Sequence, residues 1–410
     1  MNNRSVFILT VLTGLNLFNY LDRYVLSAVL TPIKVQLNLS DGQLGRIATV
    51  FMLGYFLSSP FFGYCGDRFS RKWLIALGVL VWSLGTVFSG LATGLGGLIF
   101  FRILVGFGEA SYATISPGLI SDSFAPEKRN SALTIFYVAI PVGAALGYIV
   151  GGQVSAIAGW RSAFFWAGGP GLLLALLLLP LREPQRGEAE GGFHQTSFKK
   201  VPSLRDIFGI SKIKEYNLTV RGYTAYTFAM GAYAYWGPTF LCRSQNIPYD
   251  KASAFFGAVL VGAGFLGTLV GGFWATAWHK ENPAAYAMVL GFSVLAAVPV
   301  TAGALLLHGP HLVMGLLATA TFLLFLPTGP VNTLIIQSVP VHVRSSAMAL
   351  SIFRIHLFGD MFSPEIVGRF ADLWKNLSAG LLILPLALAI AAFLWIRLAL
   401  FQVQRLSAFA

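Results

Sequence analysis

The sequence predicts an all-α membrane protein of twelve transmembrane helices arranged as two six-helix pseudo-symmetric bundles. Three observations carry this. The chain has 410 residues, 56% of them hydrophobic and only 11% charged, with a mean hydropathy of +0.71. A water-soluble domain needs roughly 25% charged residues to face its solvent. Apolar windows long enough to cross a bilayer, about 20 residues each, recur along the chain and fall into two sets of six.

The first set lies near residues 5–30, 44–66, 73–94, 97–121, 130–157 and 161–181, and the second near 218–242, 250–276, 282–307, 311–338, 345–370 and 377–401. The expected organisation is therefore an N-terminal bundle over 1–181, a linker over 182–216 and a C-terminal bundle over 217–410. Within the linker, Ser203-Leu204-Arg205-Asp206 has capping-box spacing ahead of Ile207, Phe208, Ile210 and Ile213. That pattern predicts a short amphipathic helix on the membrane surface, with a plain charged linker as the alternative. An echo joins the halves: Arg129-Asn130-Ser131-Ala132 opens the fifth span and Arg344-Ser345-Ser346-Ala347 the eleventh. An offset near 215 residues is what two parallel six-helix repeats give.

The net charge of +12 could signal a nucleic-acid partner, but its placement excludes one. The majority of the basic residues, among them Arg68, Arg71, Lys72, Lys128, Arg129, Lys199, Lys200, Lys212 and Lys214, lie on the side holding the N-terminus. This positive-inside bias puts both termini in the cytoplasm. The short termini point to a prokaryotic inner membrane, and Cys65 and Cys242 fall on opposite faces, too far apart to bridge. No elbow for a nucleophilic serine, phosphate loop or metal-binding histidine pair occurs, so neither an enzyme nor a bound cofactor or metal is expected.

Charged residues inside spans are costly against lipid and should face a cavity or one another. Asp22, Arg23, Arg102, Glu109, Arg354 and Asp360 are such residues. Arg102 and Glu109 stand two turns apart on one face of the fourth span. A carboxylate there feels desolvation on one side and the Arg102 guanidinium on the other. Asp22, Arg102 and Glu109 are thus the candidates for proton coupling, and a permanent structural ion pair is the alternative. His356 and Asp360, four apart with Arg354 nearby, could relay a proton or hold a substrate group. Tyr226 and Met230 on the seventh span, and Thr328 and Asn332 on the tenth, form stripes that suit a cavity wall or ordinary packing.

Two segments suggest moving parts. Gly63-Tyr64-Cys65-Gly66-Asp67-Arg68-Phe69-Ser70-Arg71-Lys72 joins the second and third spans and resembles the signature loop of the major facilitator superfamily, with Ser70 where glycine is usual. Asp67, Arg68 and Arg71 are expected to latch this side. On the fifth span Pro141, Gly143, Gly147 and Gly151 form a flat face, and Gly267 and Gly271 offer a matching one on the eighth. The expectation is that these two helices cross closely between the halves and act as a rocking surface.

Asn19-Tyr20-Leu21-Asp22-Arg23, the run Arg102 to Tyr112, Ile135 to Gly143, and His356-Leu357-Phe358-Gly359-Asp360 with Ser363-Pro364 together resemble the spinster family of that superfamily. The likeness is densest between about residues 14 and 152. It implies the major facilitator fold, a monomer moving a lysolipid (a lysophospholipid or sphingosine 1-phosphate) by alternating access, and protons as the coupling partner. It also implies that Asp22, Arg102 and Glu109 form the coupling site. Tyr112 and Tyr137, within the matching runs, join the candidates for lining the substrate path. Arg354 departs from the family, which has a small polar residue there. A drug or organic-anion/proton antiporter is the alternative.

Overall fold

The computed structural model describes residues 3–185, 209–340 and 343–407, and nearly all of these are helical. We number the spanning helices α1 to α12. The first six are α1 Asn3–Ala28, α2 Asp41–Arg68, α3 Arg71–Ser89, α4 Leu95–Ser123, α5 Pro126–Ala158 and α6 Trp160–Leu177. In the second half, α7 is Lys214–Gln245, α8 Tyr249–His279, α9 Ala285–Leu306 and α10 Pro310–Gln337. Next, α11 comprises Arg344–Ile355, a π-helical turn His356–Asp360 and Ser363–Trp374; α12 comprises Leu377–Leu381 and Ile383–Ser407. Among the described residues, nine of these are long and apolar enough to cross a membrane on that ground alone. The other three are α6, which is short and carries Arg161, the polar α7, and the interrupted α11.

Local chemistry sets the boundaries. Ser40 caps α2 through a reciprocal box, its Oγ accepting from the Gln43 N–H (3.2 Å) while its own N–H donates to Gln43 Oε1 (2.9 Å). A short helix, Leu30–Leu37, ends at Asn38 with φ 50°, and α7 ends at Asn246 with φ 54°. Asparagine tolerates this left-handed cap better than most residues, and it closes the helix before the second span of each half.

The chain forms two compact units: residues 1–195 with 247–258, and 196–246 with 259–410. In the first, α1 packs on α5 and α6, α2 on α4, and α3 on α4 and α6. In the second, α7 packs on α11 and α12, and α9 on α10 and α12. These are equivalent pairings displaced by six helices, the expected mark of a repeat. Pro141, inside α5, and His356, which opens the π turn of α11, are also separated by the 215-residue offset. Each interrupts the regular hydrogen-bond ladder of its helix.

Glycines set the closest approaches. A Cβ on Gly106 of α4 would lie 2.2 Å from the Phe51 carbonyl oxygen of α2, and one on Gly54 2.7 Å from that of Ile103. Gly143 and Gly147 would meet the carbonyls of Leu17 and Leu21 at 2.4 and 2.5 Å. In the second unit, Gly267 and Gly271 would meet those of Phe322 and Leu326 at 2.4 and 2.0 Å. The fifth and eighth helices do approach each other, but not through these glycines. Gly143, Gly147 and Gly151 seat α1, and Gly267 and Gly271 seat α10. Helix α5 instead receives the first turns of α8, which belong to the same unit: Gly152 lies against Ser253, Gly257 against the Ala145 carbonyl, and the Tyr148 ring 5.3 Å from Phe256. The helices that need glycine are those whose backbones must touch, which sequence spacing alone does not pair.

The surface helix expected at Ser203 lies outside the described residues up to 208. Gly209 and Ile210, at its end, are helical, and Ile210 is buried.

Candidate functional site

Two consecutive residues of α1 and two residues of α4 two turns apart form a buried charge cluster in the first unit. Asp22, Arg102 and Glu109 are each 1% exposed or less. Glu109 Oε2 accepts from Arg23 Nη2 at 2.6 Å, while Asp22 Oδ1 lies 3.9 Å from Arg102 Nη1. Thr86 of α3 donates a hydroxyl hydrogen bond to Asp22 Oδ2. Two carboxylates and two guanidiniums make the cluster electrically balanced, which is how charge survives in a bundle interior. Aromatic faces complete it: Arg23 lies 5.0 Å from the ring centres of Tyr20 and Phe51 and 5.4 Å from Tyr55, and Arg102 5.3 Å from Phe164.

The cluster corrects one pairing. Glu109 is neutralised by Arg23 and Arg102 by Asp22, so the two ions on one face of α4 reach across to α1 instead of to each other. Seven residues along a helix are about 10 Å, too far for contact. The adjacent Asp22-Arg23 pair, two opposite charges inside one span, was the signal for a fourth member. The cluster is also incompletely satisfied: Glu109 Oε1, Asp22 Oδ1, Arg23 Nε and Arg102 Nε and Nη2 are buried without a hydrogen-bond partner among the described residues. Of the four side chains only Arg23, at 25%, keeps appreciable exposed surface.

In the second unit His356 and Asp360 do meet, with Nδ1 at 3.0 Å from both carboxylate oxygens. The π turn that carries them fits α7 through two glycines. Gly359 lies against Thr227, and Gly231 against Asp360, where a Cβ would come within 2.5 Å of the Asp360 Cβ. Their side chains are 38% and 26% exposed. Arg354 does not join them; its Nη2 donates to Ser211 Oγ at 2.8 Å, in the segment leading into α7. Arg354 lies six residues before Asp360, about 9 Å along the helix, and so on a different level from the dyad's carboxylate.

The aromatic candidates divide. Tyr112 is fully buried, donates its hydroxyl to the Leu12 carbonyl and packs edge-on against Trp82 (5.4 Å). Tyr226 is buried and donates to the Leu324 carbonyl. Both are bolts between helices and present no face to a substrate, because a phenol buried in a bundle must spend its hydroxyl on a partner. Tyr137, 48% exposed, lies beside Phe136, and Met230 is half-buried. Thr328 donates to the Phe325 carbonyl and Asn332 to that of Thr328, so both satisfy their own helix.

The α2–α3 loop is latched inside the first unit. Arg71, 6% exposed, donates to Asp122 Oδ2 of α4 (2.5 Å), to Glu183 Oε1 (3.0 Å) and to the Pro184 carbonyl (2.9 Å). Ser70 Oγ donates to Glu183 Oε2 at 2.6 Å, and the Arg71 and Lys72 N–H groups also point at this carboxylate. Partial burial pushes the Glu183 carboxyl up, but the Ser70 and Arg71 hydrogen bonds and the two backbone N–H groups outweigh it and hold it below the usual range. Arg68 instead lies over the Tyr64 ring at 3.6 Å, and the side chain of Asp67 lies outside the described residues. Asp122 and Glu183 were not anticipated as partners; each is an acid just beyond an apolar run, where a buried arginine needs one.

Two repeated six-helix units with paired charges inside their spans are the architecture of a membrane transporter of the major facilitator class. The model of the Major Facilitator Superfamily matches residues 12–364. Protein spinster of Drosophila melanogaster is 35% identical over 378 residues, covering 89% of this chain and 62% of that protein. Protein spinster homolog 1 of Xenopus laevis is 36% identical over 416 residues, 95% of this chain and 78% of the relative. The human homolog 1 is 36% identical over 391 residues, 90% and 73%. The chain belongs to the spinster family of the Major Facilitator Superfamily. A crystal structure of a bacterial homolog to the human lysosomal transporter Spinster, inward-facing and unoccupied, superposes with a TM-score of 0.88 at 23% identity, covering 97% of this chain and 98% of that one.

Proposed function

We propose that this transporter moves an amphiphilic lysolipid, a lysophospholipid or a sphingosine 1-phosphate-like molecule, by proton-coupled alternating access. The single observation that carries the coupling is the Glu109–Arg23 contact beside Asp22–Arg102. Protonating Glu109 removes the charge that holds Arg23. The guanidinium, the most exposed member of the cluster, then becomes available to an anionic headgroup. Return of the proton to bulk re-forms the 2.6 Å pair and expels the anion. Asp22 stays ionised beside Arg102 while Glu109 exchanges the proton, so the second pair holds the cluster together through the cycle.

In this reading the bundles 1–181 and 217–410 rock about the substrate, with residues 182–216 as their tether. His356 and Asp360 receive a substrate group from the second bundle, and Tyr137 and Met230 line its path. The chain works as a monomer in an inner membrane with both termini cytoplasmic, as its basic residues suggest. The loop clamped by Arg71 holds one side of the first bundle in register during the motion.

The test is uptake of fluorescent lysophospholipid into proteoliposomes under an imposed pH gradient. Wild type should accumulate the lipid, and Glu109→Gln should lose gradient-driven accumulation while retaining lipid binding. Unchanged driven uptake in Glu109→Gln would overturn the coupling. Competition by small polar anions and not by lysolipids would give the antiporter reading instead.

A further inference from the structure

Helix α8 ends in a feature that the transport cycle does not use. Trp274 and Trp278 stand one turn apart with their rings parallel, 5° between planes and 6.0 Å between centres. With Ala277 and Glu281 they line a cleft of about 340 Å³. Trp274, Ala277 and Trp278 lie on one face of the helix and Glu281 in the turn that follows it, and three observations give the cleft a chemical character. Two indole faces present negative quadrupole potential. Glu281 adds a formal negative charge, and the carboxyl end of a helix adds partial negative charge. Lys280, the preceding residue, is exposed and supplies a positive charge at the rim.

The same face runs back along the helix as an exposed apolar stripe of Leu266, Val270 and Trp274, 55%, 44% and 44% exposed. We propose that this end of α8 binds one membrane phospholipid with a zwitterionic ammonium-phosphate headgroup, choline or ethanolamine. The ammonium lies on the Trp274 and Trp278 faces with Glu281 as counter-charge. The phosphate meets Lys280, and an acyl chain lies along Leu266 and Val270. The site is independent of the substrate assigned above, and all of its residues lie in the second unit. An ordinary interfacial tryptophan belt would bind any headgroup, so headgroup selectivity separates the two.

The experiment is native mass spectrometry of the full chain released from detergent. Dioleoyl phosphatidylcholine, phosphatidylethanolamine and phosphatidylglycerol are added singly at equal concentration. Wild type should retain the two zwitterionic lipids about tenfold better than phosphatidylglycerol, the scale of two moderately exposed cation–π contacts with a counter-charge. W274L/W278L keeps the apolar surface but removes the quadrupoles, and should abolish the preference. Glu281→Gln should reduce it while leaving acyl contact intact. Equal retention of all three lipids by wild type, a phosphatidylglycerol preference, or an undiminished preference in W274L/W278L would each overturn the site. Both tryptophans are partly exposed on the helix surface, and thermal stability equal to wild type establishes that the variant is folded.

Discussion

Arg23 and Glu109 make an asymmetric pair, and the asymmetry has a measurable consequence. Glu109 is 0% exposed, whereas the Arg23 side chain keeps 25% of its surface. Arg23→Met therefore leaves a carboxylate with neither water nor counter-charge, a loss of about 3–5 kcal/mol of stability. Glu109→Gln leaves a guanidinium that is partly exposed and lies over the faces of Tyr20, Phe51 and Tyr55, so it should cost about 1–3 kcal/mol. Removing both charges leaves nothing unpaired, and the double variant should lie within about 1 kcal/mol of wild type. The cycle thus contains a favourable interaction of at least about 3 kcal/mol, well beyond the additivity expected of independent sites. Size-exclusion chromatography of heated detergent extracts gives the ranking: Arg23→Met least stable, then Glu109→Gln, then the double variant close to wild type. If the double variant loses as much as the two single changes together, the residues act separately and the pairing argued here is wrong.

Three further outcomes follow from the packing. Gly271→Ala drives a Cβ to 2.0 Å from the Leu326 backbone carbonyl and should cost about 1–3 kcal/mol. Its neighbour Gly272 has nothing within 4 Å, so Gly272→Ala should gain roughly 0.5–1 kcal/mol; thermal melts of the two compare them directly. Because Glu183 is held below its ordinary value, its latch contributes stability above the unfolded-state value near 4.3 and loses it as pH falls through the lower folded one. Glu183→Gln should flatten that acid limb in melts recorded across pH 3 to about 6, and an unaltered limb would exclude the latch as its source. Tyr226→Phe removes the hydroxyl donated to Leu324 and should cost about 1 kcal/mol of thermal stability without changing lysolipid binding, in keeping with a bolt; loss of binding at full stability would return it to the substrate path.

The number of spans, the division into two repeats and the membrane environment were legible in the sequence, because they depend on quantities summed over many residues. Twenty apolar side chains in a row admit few alternatives, and a 215-residue offset survives local divergence. That Asp22, Arg102 and Glu109 would be buried against other polar groups was legible for a different reason: a charge inside a span is costly wherever the helix turns. Which charge neutralises which was not. Arg102 and Glu109 share a face of α4, yet each finds its counter-ion on α1, since the rotation and height of neighbouring helices decide contact. Similarly Gly143 and Gly147 announced a close approach without naming α1, and Gly267 and Gly271 without naming α10. Tyr226 read equally as cavity lining or packing, and Tyr112 as a candidate for the substrate path, until their hydroxyls met the carbonyls of Leu324 and Leu12. One-dimensional pattern fixes what each helix must bury, and only three-dimensional packing selects the backbone, ring or ion that covers it.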